Sequence, residues 1–410
     1  MRTPVIPLFL FSDFITQFGA GVLLTSTNWY VLDMTGSNTL VALVSAANTV
    51  SGLVVSLFGG MLVDRYRAQN VALASHIIRT ILVVIPLLLL IAFGFRIEFM
   101  VLLVLNNGIG WNLYYPSSKA LIQAITNRRN VTRVNSAAEV SMQIGLFASG
   151  AVAGLLYRYW GFILIMVVSA VMFLAGILST IMLVALLKGG AQAVPARNEG
   201  IVAGMRGGIA YLWHNMVITG LCIVLYTPFV IGNVNQTLLP GFVQTGLHAD
   251  SIAFGAIQSL WGVGACLAGL TVNLIGRRIA AERMLIASIA ALIVFGLALF
   301  LWQSLPVTGV LTFISGYADA VIRITLYSRL MGLIPSAYFG RTLSLMNAIS
   351  LILQTLLSQV AGVMMDVVSV ASGYALICAA SVITLLVFLR TRSAMTEAAE
   401  PAKATYPSTR

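Results

Sequence analysis

Ionisable side chains are what this sequence has least of. Its 410 residues include 23 Lys+Arg and 12 Asp+Glu, so that 9% are charged, against roughly 25% in soluble domains. So few charges cannot cover a soluble surface of this size, which excludes a cytosolic enzyme and a disordered chain. Cysteine is also rare. Cys222, Cys266 and Cys378 each lie in an apolar run, where they suit packing better than a disulfide or a metal site. A secreted disulfide scaffold is therefore excluded. His76, His214 and His248 are far apart and lack metal-binding spacing. No P-loop occurs, so ATP is not the driving force, and neither a metal nor another cofactor is expected. Asp13 and Gln17 interrupt the first apolar run and no small-residue cleavage site follows it, so no cleavable signal peptide is expected.

What remains is apolar: 59% of residues are hydrophobic and the mean hydropathy is +0.98. The solvent implied is lipid. A spanning helix needs about 20 apolar residues, and twelve such stretches lie near 5–32, 39–63, 70–95, 99–123, 132–157, 160–187, 215–240, 251–275, 283–304, 306–331, 341–366 and 370–390. Unpaired backbone groups are too costly in hydrocarbon and barrel-like alternation is missing, so the spans are helices. The expected fold is an all-α integral membrane protein with twelve transmembrane helices in two pseudo-symmetric six-helix bundles.

Charge placement gives the orientation. With the amino terminus in the cytoplasm and strict alternation, eighteen of the 23 Lys and Arg fall in or beside cytoplasmic segments. Arg96 and Arg158 fall outside, and Arg79, Lys119 and Arg323 within spans. This is the positive-inside pattern, with both termini cytoplasmic, and the net charge of +11 then needs no nucleic-acid partner. A polar stretch at 188–214 separates an amino-terminal bundle, 1–187, from a carboxy-terminal bundle, 215–392; the residues at 393–410 form a polar cytoplasmic tail. The halves repeat. At an offset of 208, Arg133, Ser136 and Val152–Ala153–Gly154 meet Arg341, Ser344 and Val360–Ala361–Gly362; at 209, Gly60 meets Gly269 and Asp64 meets Asn273. Duplicated halves point to alternating access around a site near the bilayer midplane.

Gly60–Met61–Leu62–Val63–Asp64–Arg65–Tyr66–Arg67, at the cytoplasmic end of the second span, resembles the signature loop of the major facilitator superfamily. Gly60, Asp64 and Arg65 match that pattern, whereas Arg67, Ala68 and Gln69 stand where a Gly and two basic residues belong. Asp33–Met34–Thr35–Gly36–Ser37, Tyr115–Pro116–Ser117–Ser118–Lys119–Ala120–Leu121 and Arg133–Val134–Asn135–Ser136 are similar to the efflux-type branch that includes macrolide and enterobactin exporters. The glycine-rich stretch of the superfamily's antiporters is represented by Gly145, Gly150 and Gly154, with Ala151 in place of Pro. The fourth-helix Arg of proton-coupled members is replaced by Asn106 or Val104. The resemblance implies a conformational latch at Gly60, Asp64 and Arg65. It also implies a cavity lined by helices one, four, seven and ten. Gly145, Gly150 and Gly154 share roughly one face and allow close approach of a neighbouring helix.

A charge inside a span costs several kcal/mol, which makes each one a functional candidate. There are six: Asp13, Arg79, Lys119, Glu139, Asp319 and Arg323. Asp13, Asp319 and Glu139 are the candidates for proton coupling. Asp319 and Arg323 are four apart and share a helix face; either they simply neutralise each other, or Asp319 exchanges a proton while Arg323 modulates it. Glu139 is equally open to a structural bridge with Arg79. Asp13, Gln17 and Asn28 form a polar stripe on the first helix. Helix four offers Trp111, Asn112, Tyr115 and Lys119, and helix seven offers Tyr226 and Asn233. Gln258, Trp261, Arg323, Asn347 and Gln354 complete the candidate substrate contacts. Rings supply area and amides supply orientation, a combination suited to an amphiphilic organic solute. Lys119 and Arg323 favour one that bears a carboxylate.

The expected function is export of a small, anionic, siderophore-like molecule by proton antiport across the inner membrane, carried out by a monomer. Multidrug or macrolide efflux, proton-coupled uptake and lipid flipping are the alternatives.

Overall fold

The computed structural model describes residues 5–126, 131–186 and 209–392. For 57–65, 123–124, 131–133, 136, 139, 273, 336–337 and 340 it describes the backbone alone. Among the described residues there is helix and no strand, as hydrocarbon demands of an apolar backbone. In chain order the first helices are α1 (Val5–Thr35), α2 (Asn38–Arg65), α3 (Ala68–Phe93) and α4 (Ile97–Ile125). The run Val131–Leu186 is broken at Gly161, with φ 76° and ψ −178°, and is treated as α5 up to 160 and α6 from 162. A side chain at such a φ is strained, so glycine is what lets the chain reverse there. The second half holds α7 (Met216–Gly241), α8 (Ser251–Gly276), α9 (Ala281–Leu301), α10 (Leu305–Leu333), α11 (Ser336–Val367) and α12 (Ser372–Thr391).

Ten helical stretches among the described residues are long and apolar enough to cross a membrane. Val140–Leu186 counts once among them although Gly161 turns it back. A short helix at 209–214 precedes α7, with Tyr211 stacked on Tyr338 at 4.7 Å. The rest of the expected connector, and the tail at 393–410, lie outside the described residues.

Each half has its own apolar core. One is built on Val31, Val44, Val83, Leu103 and Phe173, the other on Leu225, Leu238, Phe295, Leu326 and Tyr374. Outward faces carry large apolar residues such as Leu88, Leu178, Leu270 and Val367, all well exposed. An aqueous surface would not tolerate them in such number, whereas lipid does. Polar groups are turned inward.

The halves are joined at one end. Here α1 hands over to α2 and α11 ends; we call it the closed end. Every hydrogen bond between the halves, among the described residues, lies in the part of the molecule nearer this end. The seam between α5 and α8 depends on absent side chains. A Cβ on Gly154 would collide with the Ser251 carbonyl, and one on Gly150 would lie 3.2 Å from the Gly255 carbonyl. Ser251 Oγ donates to the Gly154 carbonyl at 3.0 Å, and Ser259 Oγ donates to that of Phe147 at 3.0 Å. Gly145 has a different neighbour, since its Cβ would sit 2.8 Å from the Phe14 carbonyl of α1. The three glycines therefore serve two interfaces, not the single one their common face suggests. An apolar plug of Trp29, Leu239, Val243, Phe254 and Ile257 fills the space beside this seam, with Trp29 stacked on Phe254 at 5.2 Å.

Gly154→Val inserts a branched side chain where backbone meets backbone. It is expected to destabilise the molecule by about 1–3 kcal/mol, read as a lower thermal unfolding midpoint in detergent; an unchanged midpoint would mean that the seam is loose.

Candidate functional site

Beneath the closed end, between the halves, lies a cleft whose empty space, part of it open to solvent, is about 360 Å³. From the first half, α1 contributes Asn28 and α2 contributes Ser45, Asn48 and Thr49. From the second, α7 contributes Asn233, Gln236 and Thr237, and α11 contributes Gln354, Thr355 and Ser358. Asn48 is ten residues into α2, or about 15 Å along its axis at 1.5 Å per residue. That is the depth of a bilayer midplane. The helices lining the chamber are thus one, two, seven and eleven, in place of the expected one, four, seven and ten. The reason is the close crossing of α2 and α11 at the closed end, which brings their polar faces together just below it.

Asn28, Asn233 and Gln354 are in the chamber, as the reading of their stripes expects. Asn28 Nδ2 donates to the Gln236 carbonyl at 3.4 Å, across an offset of 208 residues that equals the repeat. Asn347 is exposed two turns from Gln354 on the same helix. Ser45, Asn48 and Thr49 were missed, although their spacing places them on one face of α2.

Other candidates sit elsewhere. Asp13 is fully buried inside the first half, where its Oδ1 accepts from the Tyr114 hydroxyl at 2.7 Å. His76 packs against Tyr114 with ring centroids 4.9 Å apart and planes tilted by 47°. Arg79 is fully buried and shares this pocket electrostatically with Asp13 and Tyr114. Its three guanidinium nitrogens make no hydrogen bond among the described residues, and its Cζ lies 5.4 Å from the Phe173 ring. Gln17 is buried against α5 near Gly145. Asp13 and Gln17 therefore face the interior of one bundle, because α1 turns that face to α3, α4 and α5. Glu139, and the latch residues Gly60, Asp64 and Arg65, have side chains outside the described set.

The α4 residues form a stack of their own. Trp111 and Tyr115 have ring centroids 5.0 Å apart. Lys119 Nζ lies 4.9 Å over the Tyr115 ring and donates to Asn135 Oδ1 at 2.9 Å. Asn112 Nδ2 donates to the Gly108 carbonyl. None of these lines the 360 Å³ chamber.

In the second half Arg323 Nη2 lies 2.7 Å from Asp319 Oδ2, the ion pair that a four-residue spacing allows. Arg323 Cζ is also 5.0 Å from the Phe229 ring. Asp319 borders a separate 240 Å³ pocket with Trp261 and Asn235. Arg323 is thus a neutralised cation and not a free one. Tyr226 spends its hydroxyl on the Leu343 carbonyl at 2.8 Å, joining α7 to α11. Gln258 packs at the α5–α8 seam beside Gly150.

The closed end holds an acid whose role sequence reading did not single out. Asp366, at the end of α11, accepts from the backbone N–H groups of Asn38 and Thr39, each at 2.9 Å. It also accepts from Asn38 Nδ2 at 2.9 Å, Thr39 Oγ1 at 2.7 Å and Ser37 Oγ at 2.9 Å. One half thereby caps the first helix turn of the other. Beside it, Asp33 accepts from the Tyr157 hydroxyl at 2.7 Å and from Gln244 Nε2, of the other half, at 3.1 Å.

With this geometry in place, the comparisons with known proteins are informative. Residues 1–409 match the family model described as transmembrane secretion effector. The chain belongs to that family, within the major facilitator superfamily. This transporter is 24% identical over 362 residues to the multidrug efflux pump Tap of Mycolicibacterium fortuitum, covering 85% of this chain and 86% of that one. Its fold is similar to that of the nucleoside transporter NupG, with TM-score 0.72 and 16% identity, over 95% of this chain and 99% of that one. It is similar also to a bacterial homologue of the iron transporter ferroportin in an inward-facing state, with TM-score 0.74 and 12% identity, over 96% and 100%. The protein is a multi-pass membrane transporter and not an enzyme.

Asp366→Asn removes the charge from the cap of α2. The transporter is expected to lose about 2 kcal/mol from the closed arrangement, a shift of more than tenfold in population. Spin labels at positions 159 and 303, on a background freed of native cysteines, should report longer distances across the closed end. An unaltered distance distribution would remove the cap from the closure.

Proposed function

We propose that this transporter exports a small amphiphilic organic molecule across the inner membrane by alternating access, in exchange for protons. The observation that carries the proposal is the closed end, where every hydrogen bond between the halves among the described residues lies, with a midplane-depth polar chamber directly beneath it. Twelve crossings with both termini in the cytoplasm would put the closed end outside, so the chamber would load from the cytoplasm. The family description and the efflux pump among its relatives support outward movement.

Proton coupling rests on the buried acids. Asp13 lies beside a tyrosine hydroxyl and an arginine, and Asp319 lies against Arg323. Each is an acid whose charge is balanced only while its neighbours stay in place. A rearrangement that separates a carboxylate from its cation favours protonation, and one that restores the pair favours release. Alternating between such arrangements is sufficient to couple proton flow to cargo flow.

The carboxylate-bearing, siderophore-like cargo has less support than the fold. It rests on Lys119 and Arg323, and these are bound to Asn135 with the Tyr115 ring and to Asp319. A broader, multidrug-type cargo range is the reading that similarity to Tap favours.

In everted membrane vesicles with an acidic interior, the uncharged amphiphile N-phenylnaphthylamine serving as probe, the native protein should accumulate dye as protons leave. Asp13→Asn and Asp319→Asn are each expected to lower pH-driven accumulation at least tenfold, while energy-independent exchange persists. Undiminished pH-driven uptake in either variant would take that acid out of the coupling mechanism, and no uptake by the native protein would refute export of this probe.

A further inference from the structure

We infer that the chamber between the halves is built for an uncharged, multiply hydroxylated amphiphile of glycoside type, an inference that rests on the reading of this chamber as the cargo site. Its lining is built mostly of amide- and hydroxyl-bearing residues, whose apolar atoms share its surface, and among the described residues it holds no ionisable side chain. Ten of its twelve residues are amides or hydroxyls, and the other two are Leu24 and Ala46.

Among the described residues, the acids of the closed end and of α10 are engaged elsewhere. Asp33 is held by Tyr157 and Gln244, Asp366 by the start of α2, and Asp319 by Arg323. A charged solute entering the chamber would lose its hydration shell without meeting a counter-charge, the least favourable way to bury an ion. A purely apolar solute is disfavoured for the opposite reason, since it would displace water from amides and leave them unsatisfied. The amides of Gln236 and Gln354 make no hydrogen bond among the described residues, and both line the chamber.

Sugar hydroxyls meet both requirements. Each donates and accepts, and so does each amide. Asn28 and Asn48 come from the first half, Gln236 and Gln354 from the second. A ring of hydroxyls held by all four would bind best when the two halves approach each other. Such a solute favours the arrangement that encloses it, which is how a cargo biases the equilibrium of a carrier. Leu24 and Ala46 leave one patch for an apolar aglycone.

Three probes of matched shape test this: para-nitrophenyl glucoside, the corresponding glucuronide and the corresponding glucosaminide, which differ in charge. Binding is measured by equilibrium dialysis on the purified full-length protein in a detergent without sugar groups, at neutral pH. The glucoside should bind at least tenfold more tightly than either charged analogue. Gln354→Leu should weaken it about tenfold, the effect of losing well-placed hydrogen bonds and leaving their partners unmet. Gln354→Glu, which keeps shape and volume, should move the preference toward the glucosaminide. Equal or tighter binding of a charged analogue, no binding of the glucoside, or no shift of preference in Gln354→Glu would overturn the inference. Dialysis involves neither direction nor driving force, so such a failure leaves export standing. A failure of pH-driven uptake in vesicles would in turn leave the dialysis result intact.

Discussion

The closure of this molecule depends on a helix end that its own half caps only in part, through Ser37 Oγ accepting from the Leu40 N–H at 3.3 Å. The first N–H groups of α2 have no partners within the helix, as in every helix. Those of Asn38 and Thr39 are satisfied by Asp366, a residue of α11 in the other half. A carboxylate at a helix amino terminus gains from the charge-assisted bonds and from the helix dipole. Because the cap is supplied in trans, that gain exists only while the halves are together at this end. The stability of one helix turn and the conformational state of the transporter are thereby the same quantity.

The distribution of interior charge follows a related logic. An ion in a membrane protein must be paired, hydrated or placed where a change of state will pair it. Asp319 and Arg323 take the first course within one helix. Asp13 and Arg79 lie in a common pocket with Tyr114 and His76, which contributes a hydroxyl and two aromatic surfaces. Both groups sit inside a bundle, away from the chamber. The chamber itself is left electrically neutral. Charge and neutral polarity are thus held in different places, the acids inside the bundles and the amides and hydroxyls between them.

Much of this could be read from residue types alone. Lipid as the solvent followed from the scarcity of charge, and the helical spans from run length. The Asp319–Arg323 pair followed from four-residue spacing, because both residues lie on one helix. Asn28, Asn233 and Gln354 stood out as amides within apolar runs. What could not be read depends on which helices meet. Asp366 looks like an interfacial charge at a helix end, and nothing local says that it caps a turn 328 residues away. Ser45, Asn48 and Thr49 form a polar face on α2, but that face becomes a chamber wall only because α11 crosses nearby. Asp13 and Gln17 showed the reverse error. Their stripe is real, yet the orientation of α1 turns it inward, and periodicity carries no information on that rotation.

The repeat makes one more point. Val152–Ala153–Gly154 and Val360–Ala361–Gly362 occupy equivalent seams, α5 against α8 and α11 against α2. In each, the glycine faces the first turn of a helix from the other half: Gly154 meets Ser251, and Gly362 lies with its Cβ position 2.9 Å from the Asn38 carbonyl. The capping differs. The start of α8 is capped by its own Asp250, whose Oδ1 accepts from the Ala253 N–H at 3.0 Å, whereas α2 shares its capping between its own Ser37 and Asp366 of the opposite half. Separating α5 from α8 leaves the helix start satisfied and forfeits both the serine hydrogen bonds of that seam and its close packing, the second a loss that solvent does little to offset. Separating α2 from α11 forfeits hydrogen bonds that water can replace. The two seams of the repeat therefore share close glycine packing and hydrogen bonds across the halves, and only the second adds a carboxylate whose charge the solvent at that end can reach.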